Sequence, residues 1–253
     1  MNKILKKTLL SRFILISFIG LMSFSLHANE KYTAKRFLFI MRRNHPVNTW
    51  GILKGTVSQR RRGSSAVNYP IRLGIRFTDT RQLAQIVIDN NEKYTIGQPY
   101  TESPPSIIVN HSNYMYKLAE LGLRPDDITM TFIYWKFEKE LKNQSVSGEN
   151  CRVFELINPK TKEKVIVYVS SAYFAPLKAE WIKSNETKPY RTLLVKAFDK
   201  DNDLWAPSEF TVSGPGWRTR VDFDKIDLGY VKNGIPKDLF MKNTLKKFSM
   251  SKD

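Results

Sequence analysis

From position 69 to 78 apolar and polar residues alternate without a break. Tyr69, Ile71, Leu73, Ile75 and Phe77 share one phase, and Arg72, Gly74, Arg76 and Thr78 the other. A period of two marks a strand with one buried face, because successive side chains of an extended backbone point to opposite sides. The stretch before it, 49–62, mixes apolar with small polar residues and runs into Arg60, Arg61, Arg62, Gly63, Ser64 and Ser65, a composition that ends a strand and turns the chain. Segments 83–89 and 92–97 continue the pattern, with Asn90 and Asn91 between them as a hairpin turn requires. The second half predicts six more strands, at 151–158, 164–171, 176–184, 190–199, 204–214 and 217–228, punctuated by Asn158-Pro159, Asn185 and Gly214-Pro215-Gly216. Parallel crossovers need a dozen or more residues between strands, so strands this closely spaced predict an antiparallel meander.

Two stretches break the period of two. Residues 29–48 are basic, with Arg36, Arg42 and Arg43 around the apolar patch 37–41, and predict a short helix packed on the sheet, or an amphipathic segment at a membrane surface. From 112 to 142 the period lengthens, and one or two helices are expected. Pro125, Asp126 and Asp127 form a helix start there, ahead of Ile128, Phe132, Trp135 and Phe137. Many short strands with a helical interruption predict an α+β fold that is mainly antiparallel β, an incomplete barrel with helices over one opening.

The N-terminus adds a destination. Residues 1–12 carry Lys3, Lys6, Lys7 and Arg12 without an acid and precede an apolar run at 13–26. That run falls short of the roughly 20 residues that span a bilayer, so the layout is a signal peptide, with cleavage expected after Ala28 and the periplasm as destination. The domain reading is therefore 1–28 leader, 29–48 basic segment and 49–253 a single sheet domain. The full chain has 41 Lys and Arg against 24 Asp and Glu, a formal charge of +17. Without the four leader cations the remainder keeps +13, a field that attracts anionic lipid surfaces or simply keeps the protein in solution. Export and the lack of stacking aromatics beside the basic residues argue against nucleic acid. Cys151 is the sole cysteine. It rules out disulfide staples and a zinc ribbon, and its place inside an apolar strand predicts an inert core thiol.

Catalytic chemistry is sparse in the sequence. After the leader only His45 and His111 remain, neither at metal-ligand spacing, and there is no G-x-S-x-G elbow. Asp199, Asp201 and Asp203 lack the glycine and the terminal acid of a calcium loop and fit a solvated hairpin turn. The expectation is a protein without enzymatic activity or cofactor. One charge grouping could form a site: Arg60, Arg61 and Arg62 with Arg72 and Arg76 across the predicted turn, either converging on a headgroup or carboxylate or protecting an exposed strand face.

Short segments along the chain carry a family resemblance. GILKGTVSQRRRG at 51–63, DDITMTFIYW at 126–135, CRVFEL at 151–156, YVSSAY at 168–173, APLKAE at 175–180 and WRT at 217–219 resemble, in order and spacing, the outer-membrane lipoprotein-sorting proteins of LolA/LolB type. The resemblance covers most of 49–245. It implies a curved antiparallel sheet, a half-barrel whose helices cover an apolar cavity that receives lipoprotein acyl chains during transfer toward the outer membrane. It also implies an arginine on an early strand that matters for holding and releasing cargo, here within the Arg60–Arg76 hairpin. On that reading Ile71, Leu73, Ile75, Phe77, Ile86 and Ile88 line the sheet side and Phe132 and Trp135 the lid; the same residues equally suit a filled core. Three functions follow: a lipid or lipoprotein carrier, an envelope interaction module binding a protein or an anionic surface through its basic patches, and a hydrolase if His45 or His111 meets a serine and an aspartate.

Overall fold

A computed structural model describes residues 32–43, 46–110, 117–183 and 186–241 of the chain. The leader, His45 and His111 lie outside the described residues. Twelve strands form one sheet, every pairing antiparallel. They are β1 (Thr49–Arg61), β2 (Val67–Phe77), β3 (Arg81–Ile88), β4 (Glu92–Pro99), β5 (Ser106–Asn110), β6 (Lys136–Val146), β7 (Glu149–Ile157), β8 (Lys164–Ser170), β9 (Pro176–Ile182), β10 (Arg191–Asp201), β11 (Leu204–Gly214) and β12 (Trp217–Tyr230). Their order is 5-4-3-2-1-12-11-10-9-8-7-6. One meander runs outward from β1 to β5, and a second runs from β6 inward to β12, which closes on β1. The sheet itself does not close: β5 and β6, consecutive in the chain, are its two edges.

The expected meander and its strands are present, with two additions. β5 was not legible, being five residues long with its neighbour on one side only. β6 falls in the stretch expected to be helical, a correction with a clear cause. Phe137 and Leu141 are four apart, as on a helix face, and the strand's bulges between Phe137 and Lys139 and between Leu141 and Gln144 remove the strict alternation. Pairing with β7 decides the conformation, which local spacing could not.

The helical pieces are short. Helix α1 (Ala34–Arg42) begins at Thr33, whose hydroxyl accepts from the Arg36 amide, and it buries Phe37, Leu38 and Met41. The 25 residues between the edge strands hold α2 (Lys117–Glu120), α3 (Pro125–Thr129) and a 3-10 turn (Thr131–Tyr134). Pro125 opens α3 as the sequence predicts, and the Asp127 carboxylate accepts from the Arg124 amide at 2.6 Å. Gly122, at φ +68, ends α2: its amide donates to Ala119 O and that of Leu123 to Leu118 O, satisfying the last carbonyls.

The pleat sorts side chains into two faces. Leu53 and Val57 of β1, Ile71, Leu73 and Ile75 of β2, Ala84, Ile86 and Ile88 of β3, Val221 and Phe223 of β12, and Phe154 and Leu156 of β7 belong to one buried cluster, together with α1 and the edge-to-edge segment. In a flat sheet β2 and β7 would stand about 34 Å apart, at roughly 4.8 Å per strand. A shared core therefore requires the sheet to curl around these helical pieces. On the outer face a smaller cluster of Val146, Cys151, Val153, Tyr168 and Leu177 packs beside β7 and β8, and residues 234–241 cross β1, β2 and β3. Gly74 makes that crossing possible, since a Cβ there would lie 2.0 Å from Leu239 O.

Candidate functional site

The candidate site is the inner face and the segment 117–135 lying on it. A non-sheet segment inside a curled sheet must find partners for its backbone polar groups. The strands supply them from polar residues standing in the apolar phase near strand ends. Gln59 of β1 donates to Glu120 O at 3.0 Å, Gln82 of β3 to Thr129 O at 3.2 Å, and Thr219 of β12 to Leu121 O at 2.5 Å. Glu92 of β4, 3% exposed, accepts from the amides of Lys117 and Leu118 at the start of α2, and also from the Tyr94 hydroxyl. Arg42 of α1 donates to Ile133 O and Trp135 O and pairs with Glu102.

The firmest anchor joins α3 to β10. Arg191 and Asp127 form a bidentate ion pair with side chains 4% and 0% exposed. Arg191 Nη2, one of the two nitrogens in that pair, also donates to Gly122 O at 3.0 Å, and the guanidinium lies 4.7 Å over the Trp181 ring. Arg124 binds Glu163 and the Tyr190 hydroxyl at the β7–β8 and β9–β10 connections. Next to the pair, Asp126 is half-buried, and loss of water with the negative charge of Asp127 pushes its carboxyl up to about 7 against the pull of Arg124 and Arg191.

All eight expected lining residues are brought to this region. Ile71, Leu73, Ile75, Ile86, Ile88, Phe132 and Trp135 are buried in the one cluster, and Phe77 packs half-buried against it. Phe132 sits edge-on to Trp181, ring centres 5.3 Å apart. The Trp181 indole N–H is buried without a hydrogen-bond partner among the described residues.

The five arginines are not brought together. In the β1–β2 register Lys54 faces Arg72 and Trp50 faces Arg76, whereas Arg60, Arg61 and Arg62 lie at the turn end of the hairpin, about 20 Å or more from Arg72 and about 34 Å or more from Arg76 along the strands. Proximity of neighbouring strands fixed only the lateral spacing, and the register separates the groups lengthwise. Arg72 and Arg76 face outward, and Arg72 is taken up by Leu239 O and Asp238. Arg61 alone of the five points inward, donating to Glu120 O at 2.6 Å beside a cleft of about 410 Å³ bordered by Gly122 and Trp217. Asp201 and Asp203 fall on the β10–β11 hairpin, where Asn202 and Asp203 take the left-handed conformation of a tight turn. Cys151 is buried on the outer face, and burial raises its thiol pKa.

The anchors Glu92, Asp127 and Arg191 were missed as such. Their signal was readable: Glu92 is in phase with Tyr94 and Ile96, and Arg191 with Leu193 and Val195, a charged residue where the pattern demands an apolar one.

No protein-family model matches the chain, and no curated protein matches it in sequence. Solved structures do. It is similar to a putative outer membrane lipoprotein-sorting protein domain from Vibrio parahaemolyticus (TM-score 0.60, 13% identity, 80% of this chain and 93% of that one). It is also similar to a LolA superfamily protein from Nitrosomonas europaea (TM-score 0.51, 14% identity, 83% and 98%). The fold is LolA-like. A DUF1329 family protein from Desulfovibrio piger shares it as well (TM-score 0.60, 17% identity, 81% and 95%). The resemblance read from short segments thus agrees with the LolA-like architecture, an open antiparallel sheet with few helices. Those segments fall on β1, α3 with the 3-10 turn, β7, β8, β9 and the start of β12.

Proposed function

We propose that the protein is a periplasmic, non-catalytic carrier that shields the acyl chains of a lipid or lipoprotein between the inner sheet face and the segment 117–135. The observation that carries this reading is the construction of the interior. Within a LolA-like sheet, the apolar inner face is covered by a segment that is no part of the sheet and is held to it by side-chain bonds to its backbone. Such a cover can leave while the sheet stays intact. Burying an acyl chain is worth about 0.8 kcal/mol per CH₂, so a 16-carbon chain contributes on the order of 10 kcal/mol toward displacing Phe132 and Trp135. The unpartnered Trp181 N–H would then meet an ester carbonyl. Arg61, on the earliest strand and bonded to Glu120 O, is the arginine of the hairpin that can hold this cover closed.

A second reading rests on the same packing: the interior is a filled core, and the protein is an envelope interaction module. Native mass spectrometry of gently purified protein, with lipid extraction of any adduct, separates the two. The carrier returns about one lipid or acylated peptide per chain, lost in a folded Leu73→Glu variant. A bare mass under conditions that preserve known lipid complexes, with Phe132→Ala costing about 3–5 kcal/mol of stability as a core residue does, leaves the interaction module.

A further inference from the structure

Where basic side chains of the outer face stand beside one another, a carboxylate is at hand. Arg220 on β12 bonds to Glu209 at 2.9 Å and Asp222 at 2.7 Å, and Glu155 lies between Lys139 and Lys164. Lys54 faces Lys225, and Asp224 and Asp238 line the same cleft. The corner where β1 ends and β12 begins departs from this. Arg60 stands directly opposite Arg218 in the register, two residues from the paired Arg220. Arg62 follows in the turn, its amide donating to Gly216 O at 2.8 Å, which ties the β1–β2 turn to the β11–β12 turn. All three side chains are exposed, and among the described residues none of them has an acidic partner.

Facing residues of an antiparallel pair have Cβ atoms about 4.5–5.5 Å apart, and like charges there repel. A repulsion that the protein leaves unrelieved is relieved by an anion, and guanidinium groups match phosphate oxygens two at a time. We propose that Arg60, Arg62 and Arg218 form a phosphate-binding corner that docks the protein on the headgroups of an anionic phospholipid surface. The corner is a sheet margin, with its cations directed outward instead of around a small enclosed anion. The connections along the same margin add the exposed Lys160, Lys162 and Lys188, spreading positive charge as an extended surface does. The formal charge of +13 that remains without the four leader cations supplies the long-range attraction. This inference uses the outer face and margin only, and stands or falls apart from the carrier reading.

The test is sedimentation of the exported protein, residues 29–253, with vesicles of phosphatidylcholine alone and of phosphatidylcholine mixed with phosphatidylglycerol. Two triple variants of equal charge change are compared: Arg60→Gln/Arg62→Gln/Arg218→Gln at the corner, and Lys35→Gln/Lys142→Gln/Lys196→Gln on other exposed surfaces. Thermal unfolding of both reports that they are folded. The expected result is binding to the anionic vesicles that weakens about fivefold per corner arginine and about a hundredfold for the three, with a much smaller change in the lysine variant. Equal losses in the two variants would mean that net charge alone acts, and would overturn the corner. Equal binding to both vesicle types would overturn it too. Calorimetric binding of inorganic phosphate to the wild type, lost in the arginine variant and without vesicle binding, would assign a soluble phosphate ligand in place of the membrane.

Discussion

Asp126, Asp127 and Arg191 show how three side chains near a strand end set the chemistry of the interior. Asp127 is fully buried because Arg191 meets both its oxygens and the Arg124 amide takes a further bond, so its charge is satisfied in place. Asp126 has no such ion pair among the described residues, and loss of water beside the charge of Asp127 raises its pKa. A pKa raised by folding means that the folded state binds the proton more tightly. The stabilisation is therefore present below the ordinary carboxylate range and is lost as pH rises through about 7. Asp126→Asn should match the wild type in urea unfolding near the acid end of that window and exceed it in stability above it. A difference that does not change with pH would show Asp126 to be solvated. The sequence marked both aspartates as a helix start, which they are; that one of them would find an arginine 64 positions away was legible only as an oddity of phase at Arg191.

Among the elements, the stretches with two partners were the readable ones. β2 and β9 alternate because each is paired on both sides and buried mainly on one face, whereas β3 and β8, buried on both faces over much of their length, read as short apolar runs. The edges β5 and β6 give weak or misleading patterns for the opposite reason, since half of each edge meets no strand. The C-terminal segment is another element decided by docking. Leu239 is 3% exposed, held by Arg72 and by the contact with Gly74, and Gln85 bonds to both backbone groups of Met241. Gly74→Ala should cost about 1–3 kcal/mol, as overpacking does. It should also raise proteolytic cleavage after Tyr230, with β2 and β3 themselves intact. If stability and cleavage do not change, the segment yields freely and does not hold the outer face.

For the molecule as a whole, stability should be graded from the centre of the sheet outward. β1 and β12 are flanked by strands on both sides, whereas segment 117–135 is held by separate side-chain bonds and by packing. Local openings draw on such weakly tied units. Hydrogen exchange should release the amides of 117–135 before those of 51–58 and 218–223. Exchange of both sets at one rate would show that the segment opens only with global unfolding, and would favour the filled core over a removable cover.

Alternation along the chain determined the strands other than the edges β5 and β6, their antiparallel meander and the identity of the apolar face, because the period of two is a property of the extended backbone and is written residue by residue. It also selected the six inner residues of β2 and β3, since burial and apolar phase coincide there, while Phe132 and Trp135 were read from the helical interruption. Tertiary structure alone decided that β1 would meet β12, that the two edges would be neighbours in sequence joined across the interior, and that Arg60 would face Arg218 while Arg72 and Arg76 lie far off. Register and long-range pairing follow from the curl of the whole sheet and from what must fit inside it, and neither leaves a local trace in the sequence.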